Sequence, residues 1–300
     1  MQRTLLFQGT ATALVTPFKK DGSVDEQSLR EFVDFQIKAG VEALVPVGST
    51  GEGATLSESE QAFVIETVVD QVNGRVPVIG GASSNSTTRA IALAKQVKEC
   101  RADGILTVAP FYNKPTQEGM YRHFGAIAEA VEMPVIIYNV PGRTASNVEP
   151  ATVLRLAADV PFIAGIKEAS GNLPQIMQIL ADRSEGFGVW SGDDSLTLPL
   201  VAAGADGIIS VTANEVPEEF SEMVRQALKG KFARAREMHY RLLPLMNINF
   251  VESNPIPVKA ALAMMGMMEE TLRLPLVSLS DQNRSKLEKV LLNLELIAKK

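Results

Sequence analysis

Phe162-Ile163-Ala164-Gly165-Ile166-Lys167-Glu168 is an apolar run that ends on a lysine. The run itself, Phe162–Ile166, is nearly continuous in aliphatic residues, as a strand covered on both faces should be. Seven similar runs lie on either side of it: Ala11–Phe18, Glu42–Val47, Val76–Gly80, Gly104–Ala109, Pro134–Val140, Gly188–Ser191 and Gly207–Val211. Each leads into a helical pattern, for example Ser59–Val72, Thr87–Val97, Gly119–Val131 and Val153–Ala158. Strand signals that alternate with helix signals imply parallel strands joined by crossover helices. An open doubly wound sheet would call for a glycine-rich dinucleotide fingerprint after the first strand, and Thr16-Pro17-Phe18 is not one. The expected fold is therefore a closed (β/α)8 barrel.

Local punctuation agrees with this reading. Ser57 and Glu60 have capping-box spacing. Pro217 suits a first helical turn, and Gly40, Gly204 and Gly230 mark helix ends. Beyond the eighth unit, Phe232–Leu245, Pro257–Met267 and Asp281–Lys299 read as additional helices. The expected organisation is a barrel over residues 1–230 and a C-terminal helical extension over 231–300, with no Pro/Ser-rich linker between them.

Composition narrows the function classes. The chain has 300 residues and is 46% hydrophobic, enough to bury a large core without staples. The net charge of -6 and the scattered basic residues argue against nucleic-acid or anionic-membrane partners. With Cys100 alone there is no disulfide framework, and a small apolar residue at a helix end is the expected reading of that cysteine. His123 and His239 lie far apart on helical stretches, and no metal site is expected. The segment Met1–Gly9 lacks the features of a signal peptide, and no apolar run approaches the roughly 20 residues of a membrane span. A soluble cytoplasmic protein is expected.

In a barrel of this kind chemistry gathers where strands end and βα loops begin. Period-2 alternation puts Ile163, Gly165 and Lys167 on one face of the sixth strand. If that face points inward, desolvation lowers the amine pKa and makes Lys167 a nucleophile for carbonyl carbon. If not, the lysine snorkels into solvent. Tyr138 is either a core aromatic or a proton-transfer group. Arg143 follows a Pro-Gly turn, where a guanidinium suits a substrate carboxylate or a surface salt bridge. The segment Gly48-Ser49-Thr50-Gly51-Glu52 reads as a carboxylate-sized anion nest or as an ordinary turn; it lacks the lysine of a P-loop. Phe111 and Tyr112 share a loop tip, which points to packing or an interface. Asp193 and Asp194 stand where phosphate-binding barrels hold their anion, so a non-phosphorylated substrate is expected.

Taken together and in this order, these motifs resemble the dihydrodipicolinate synthase and N-acetylneuraminate lyase family. The residues that carry the resemblance are Gly48–Glu52, Tyr138–Thr144, Gly165–Gly171, Gly192–Asp194, Gly207–Asn214 and Asn254–Lys259, spread over essentially the whole chain. Tyr138 with Pro-Gly-Arg143-Thr is similar to the synthase branch, whose usual Thr-Thr pair is Ser49-Thr50 here. The resemblance implies condensation of pyruvate with aspartate β-semialdehyde in lysine (diaminopimelate) biosynthesis, without a cofactor. It implies Lys167 as the imine-forming residue and Tyr138, Ser49 and Tyr112 as a proton relay, Tyr112 reaching in from a neighbouring subunit. Thr50 would hold the pyruvate carboxylate and Arg143 that of the semialdehyde, with Gly192 and Ile209 also against substrate. A homotetramer built from two tight dimers is implied. Two other readings stay open: an aldolase of the same family cleaving a sialic or sugar keto-acid, and a non-catalytic barrel that binds keto-acids.

The resemblance also implies where a feedback pocket for L-lysine would lie, at Gly53, Ala54, Glu58, Gln61, Asn85, Arg89 and Phe111. Lysine-sensitive members typically carry a glutamate at the position of Arg89, so L-lysine is not expected to inhibit this protein appreciably.

Overall fold

The computed structural model describes residues 5–298, and the eight apolar runs form one parallel sheet. Strand β1 (Gly9–Ala13) pairs with β2 (Ala43–Val45) on one side and with β8 (Gly207–Ser210) on the other. From β8 the order continues through β7 (Gly188–Ser191), β6 (Ile163–Glu168), β5 (Val135–Asn139) and β4 (Gly104–Val108) to β3 (Ile79–Gly81). A parallel bridge from Leu44 to Val78 brings β2 back to the β3 side, so the sheet curls into a barrel. Six of the strands are shorter than their apolar runs, while β7 matches its run and β6 continues past it through Lys167 and Glu168. The first run leaves the sheet after Ala13, because Leu14, Val15 and Phe18 pack into the cluster between barrel and helices.

Helices α1 (Glu26–Lys38), α2 (Glu58–Val72), α3 (Thr87–Glu99) and α4 (Gln117–Val131) alternate with the first strands. A single turn, α5 (Pro141–Thr144), precedes α6 (Pro150–Asp159); α7 (Leu173–Asp182), α8 (Thr197–Ala202) and α9 (Pro217–Leu228) complete the ring. The capping box forms as its spacing predicts: Glu60 N–H donates to Ser57 Oγ, and Ser57 N–H donates to the Glu60 carboxylate. Pro217 opens α9, and Cys100 ends α3 as a buried apolar residue whose thiol is pushed up to about 11 by burial.

Three helices follow: α10 (Phe232–Ile248), α11 (Ile256–Met264) and α12 (Asp281–Asn293). The third was expected to run to Lys299 but ends at Asn293, where Leu294 caps it and turns follow; Lys299 itself lies outside the described residues, as do the first four residues of the segment read for a signal peptide. Leu242, Leu245, Ile256, Ala260, Leu287 and Leu291 share a core with Ile208, Val216 and Phe220. That core spans the expected boundary at 230/231, and we propose that the described part of the 231–300 extension is an addition packed on the barrel rather than an independent unit.

Two layers of apolar side chains separate along each strand. Ala11, Ala13, Val45, Ile79, Leu106, Ile136, Tyr138, Trp190 and Ile209 fill the inside. Val135, Ile137, Ile166 and Val189 face the helices. Phe7 stacks on Trp190 at 4.8 Å and fills the end where the strands begin. The indole leaves no room beside it: a Cβ on Gly165 would lie 2.6 Å from the Trp190 ring. One expectation is corrected. Alternation put Ile163 on the face of Gly165 and Lys167, yet Ile163 packs in the outer cluster with Ile166. The register shifts between Val135 and Ile136, pairing them with Ile163 and Gly165, so Ala164 is an extra residue that breaks the period.

Candidate active site

At the end where the strands finish, a cavity of about 400 Å³, its open mouth included, is lined by Gly48, Ser49, Thr50, Tyr138, Arg143, Lys167 and Gly192. Ala13, Val45 and Leu106 form an apolar floor, and Val211, Phe250 and Asn254 complete the wall. Most of that space is open to solvent, and the enclosed part is about 30 Å³.

Strand register builds the centre. Tyr138 pairs with Lys167 and Lys167 with Trp190, so the three side chains all point into the barrel. The lysine is 5% exposed, and its Nζ lies 4.4 Å from the centroid of the Tyr138 ring. Burial lowers its pKa to about 8; Asp194 opposes that shift and Arg143 adds to it. Among the described residues Lys167 forms no ion pair, so nothing competes for the amine. Gly192 makes the space for it: a Cβ there would sit 2.9 Å from Lys167 Cε. The Tyr138 phenol is pushed up to about 12, chiefly by burial, so it keeps its proton near neutrality.

The Gly48–Glu52 segment reaches the mouth through strained backbone. Val47 and Glu52 both have positive φ, 60° and 52°, and a β-branched residue there costs about 1–3 kcal/mol. Behind the turn, the fully buried Glu52 carboxylate accepts from Lys259 Nζ at 2.6 Å and from Arg273 N at 3.2 Å. The strain is held from the C-terminal side of the chain. Thr50 Oγ1 accepts from Asn254 Nδ2 at 2.9 Å. Arg143 stands on α5, and its Nη2 donates to the main-chain oxygen of Asn254 at 3.3 Å.

Other expected site residues are arranged differently from this group. Ile209 is fully buried in the inner apolar cluster with Tyr138 rather than on the cavity wall. Tyr112 is 89% exposed, has φ of 71°, and does not line this chain's cavity. Asp193 and Asp194 do not face the mouth as a free pair. Asp193 accepts from Ser195 N and Oγ, and the buried Asp194 accepts from Ser210 Oγ, Thr212 Oγ1 and the N–H groups of Val211 and Thr212. The expected feedback-pocket residues associate in pairs: Gln61 with Gly53, Glu58 with Arg89, and Asn85 with the main chain of Phe111. Ala54 lies beside Gly53 in the same turn region. His123 contacts Thr87 Oγ1 and is pushed down to about 4 by burial, while His239 is buried on α10. Among the described residues no helix is long and apolar enough to cross a membrane.

Sequence reading missed Phe250, Val211 and Asn254 as cavity residues. Phe250 and Asn254 belong to the connection between α10 and α11, which carries no periodic signal; Asn254 sits before Pro255 and Pro257, and that turn-forming pattern was the one cue to a loop at this point.

The chain matches the family model described as the dihydrodipicolinate synthetase family over residues 6–294. A relative named 4-hydroxy-tetrahydrodipicolinate synthase from Koribacter versatilis is 56% identical over 284 residues, 94% of each chain. A structure of the dihydrodipicolinate synthase of Acinetobacter baumannii, described as chloride-inhibited and complexed with pyruvate, is 45% identical, with a TM-score of 0.95 over 97% of this chain and 99% of that one. Another, described as the first monomeric variant of a dihydrodipicolinate synthase, is 43% identical, with a TM-score of 0.96 over 97% and 98% of the two chains. By these matches and by the geometry of its barrel mouth, the chain belongs to the dihydrodipicolinate synthetase family.

Proposed function

We propose that this chain is a class I lyase that condenses pyruvate with L-aspartate 4-semialdehyde to 4-hydroxy-tetrahydrodipicolinate, in lysine biosynthesis. The observation that carries this reading is the buried Lys167 amine, unpaired and lowered to about 8, aimed into a small cavity beside a phenol and a guanidinium. Lys167 attacks the ketone carbon of pyruvate, and loss of water gives an imine. Removal of a methyl proton yields an enamine, whose carbon attacks the aldehyde and forms the new carbon–carbon bond. The resulting alkoxide takes up a proton. The amino group of the semialdehyde then adds to the imine carbon, closes the ring and displaces the Lys167 amine. The lysine itself serves as the electron sink, so no cofactor is required.

Tyr138 and Ser49 pass protons between these steps, and Tyr112 of a neighbouring subunit completes the relay; its exposure on a strained loop tip supports that assignment. Thr50 and its N–H hold the pyruvate carboxylate, beside Gly192, with Ile209 behind them. Arg143 holds the carboxylate of the semialdehyde, and a polyol substrate would have no use for a guanidinium there. We propose a homotetramer of two tight dimers working in the cytoplasm, where a single thiol pushed up by burial suits a reducing medium. The test is borohydride reduction in the presence of pyruvate, followed by mass spectrometry of the peptides. A pyruvyl adduct on Lys167 is expected, and an unmodified Lys167 would overturn the reading. An aldehyde panel separates the semialdehyde from sugar substrates.

A further inference from the structure

Asn254 belongs to the turn that enters α11, away from the strand ends where barrel chemistry is normally sought. It is 5% exposed and lines the cavity. Its side chain and its main chain reach different groups: Nδ2 donates to Thr50 Oγ1, and the main-chain oxygen accepts from Arg143. One residue thus touches both carboxylate-binding groups, by separable atoms.

A threonine hydroxyl has one hydrogen to give and lone pairs to receive. While Thr50 Oγ1 accepts from the amide, its own hydrogen stays free to donate. A carboxylate only accepts, so a hydroxyl already committed as acceptor toward the protein faces it in the one useful sense. Amide, hydroxyl and carboxylate then form a chain in which each bond strengthens the next. The amide orientation follows from the orphan it leaves. Asn254 Oδ1 is buried without a partner. The flipped amide would instead strand an N–H₂ group, and orphaned donors are the rarer and costlier outcome.

We propose that Asn254 is a positioning residue for the keto-acid half of the reaction: it sets Thr50 as a hydrogen-bond donor to the carboxylate of pyruvate. This rests on the function proposed above. Because the side chain serves Thr50 alone, its loss acts on pyruvate and spares the semialdehyde, whose Arg143 is held by the main-chain oxygen.

The experiment compares Asn254→Ala with Asn254→Asp, reading KM for each substrate and the rate of borohydride trapping with pyruvate. Asn254→Ala is expected to raise the pyruvate KM about tenfold, the upper value of one hydrogen bond between neutral groups, and to leave that of the semialdehyde nearly unchanged. Asn254→Asp is nearly isosteric, but its carboxylate takes the Thr50 hydrogen and sets a like charge beside the substrate. It is expected to be about tenfold worse than Asn254→Ala toward pyruvate. A purely structural role predicts the reverse, since the isostere fills the site better. An aspartate variant equal to or better than the alanine variant, or equal losses for both substrates, overturns the inference. If Asn254→Asp does not fold, Asn254→Ala is combined with Thr50→Val; it is expected to add almost nothing there, and additive losses overturn the inference. Failure of the wild-type protein to trap pyruvate would instead overturn the underlying reading of function.

Discussion

Among the described residues two lysines are buried, Lys167 and Lys259, and their surroundings differ sharply. Lys167 on β6 and Lys259 on α11 both have their pKa lowered, with burial as the first cause. Lys259 is fully enclosed; its Nζ donates to Glu52 at 2.6 Å and to the Thr16 carbonyl at 3.0 Å, and it lies 4.2 Å from the centroid of the Phe18 ring. Two of its three N–H groups are hydrogen-bonded, and its charge is answered by Glu52. Lys167 has a phenol face, a distant Asp194 carboxylate and a cavity. Desolvation alone therefore does not make a nucleophile. The same burial leaves a paired cation where a carboxylate is bonded to the amine, and an unpaired amine, the one proposed as the nucleophile, where none is.

The largest effects test that division directly. Lys167→Ala is expected to reduce turnover by roughly 10⁴-fold or more while the fold survives, because only the proposed nucleophile is removed. Steady-state kinetics alongside a thermal melt measures both, and a variant that still turns over would end the comparison. Lys259→Met should do the reverse. It strands the Glu52 carboxylate in the core, and breaking a buried pair from one side costs about 3–5 kcal/mol of stability. Denaturant unfolding reads that loss. Adding Glu52→Gln should recover a large part of it, which would show that the damage is the unpaired charge rather than lost packing.

Next in size is Arg143→Ala. Losing a charged hydrogen bond to substrate costs about 2–3 kcal/mol, roughly a hundredfold in the semialdehyde KM, with the pyruvate KM affected far less. Equal effects on both substrates would count against the assignment. The same substitution has a second, smaller consequence for Lys167. The amine must be neutral to attack, so kcat/KM for pyruvate should rise with pH and level off above about 8. Arg143 pushes the lysine pKa down and Asp194 pushes it up. Removing the cation in Arg143→Ala therefore moves the rising limb to higher pH, and removing the anion in Asp194→Asn moves it to lower pH. Shifts in the same direction would mean that neither charge acts on Lys167 through its field.

The difference between the two lysines was only half visible in the sequence. Lys167 could be read because a strand end is a position with a rule attached, and the barrel follows from the run of apolar segments that precede helices. The inward direction of Lys167 was right although Ile163 was assigned to the wrong face, since the bulge at Ala164 lies before Gly165 and leaves the last residues in phase. Lys259 was visible as part of a motif but not as a partner of Glu52, because 207 positions separate them and nothing local records the pairing. The same holds for Asn254 and Thr50, joined across 204 positions through a connection without periodicity. Contacts between a strand-end loop and the C-terminal helices depend on how the helices dock, which a one-dimensional pattern does not encode. Asp194 shows the converse: its type and place were legible, but its four donors turn it toward β8 and away from solvent.

The smallest expected effect is an absence, and it concerns another charged pair, this one in solvent. Arg89 on α3 faces Glu58 on α2 at 3.5 Å, with both side chains more than half exposed. In the resembling proteins that L-lysine inhibits, a glutamate typically stands at the position of Arg89 and meets the ligand's α-ammonium. Here a cation stands at that position and is already paired with the Glu58 carboxylate. Solvent screens exposed charges, so the direct repulsion is modest, on the order of 1 kcal/mol. The loss of the attractive partner adds to it, and each 1.4 kcal/mol costs about tenfold in affinity. Phe111 offers no hydroxyl to the ligand's carboxylate, and Asn85 spends its amide on the main-chain oxygen of Phe111. L-lysine titrated into a steady-state assay at limiting pyruvate is therefore expected to leave activity near its full value up to about 1 mM, equivalent to about −4 kcal/mol of binding. Arg89→Glu sharpens the question. It restores the anion and frees Glu58, and it should make the enzyme measurably more sensitive to L-lysine without altering the pyruvate KM. Half-inhibition of the unaltered protein below that concentration, or an Arg89→Glu variant no more sensitive than its parent, would show that this pair does not govern the pocket.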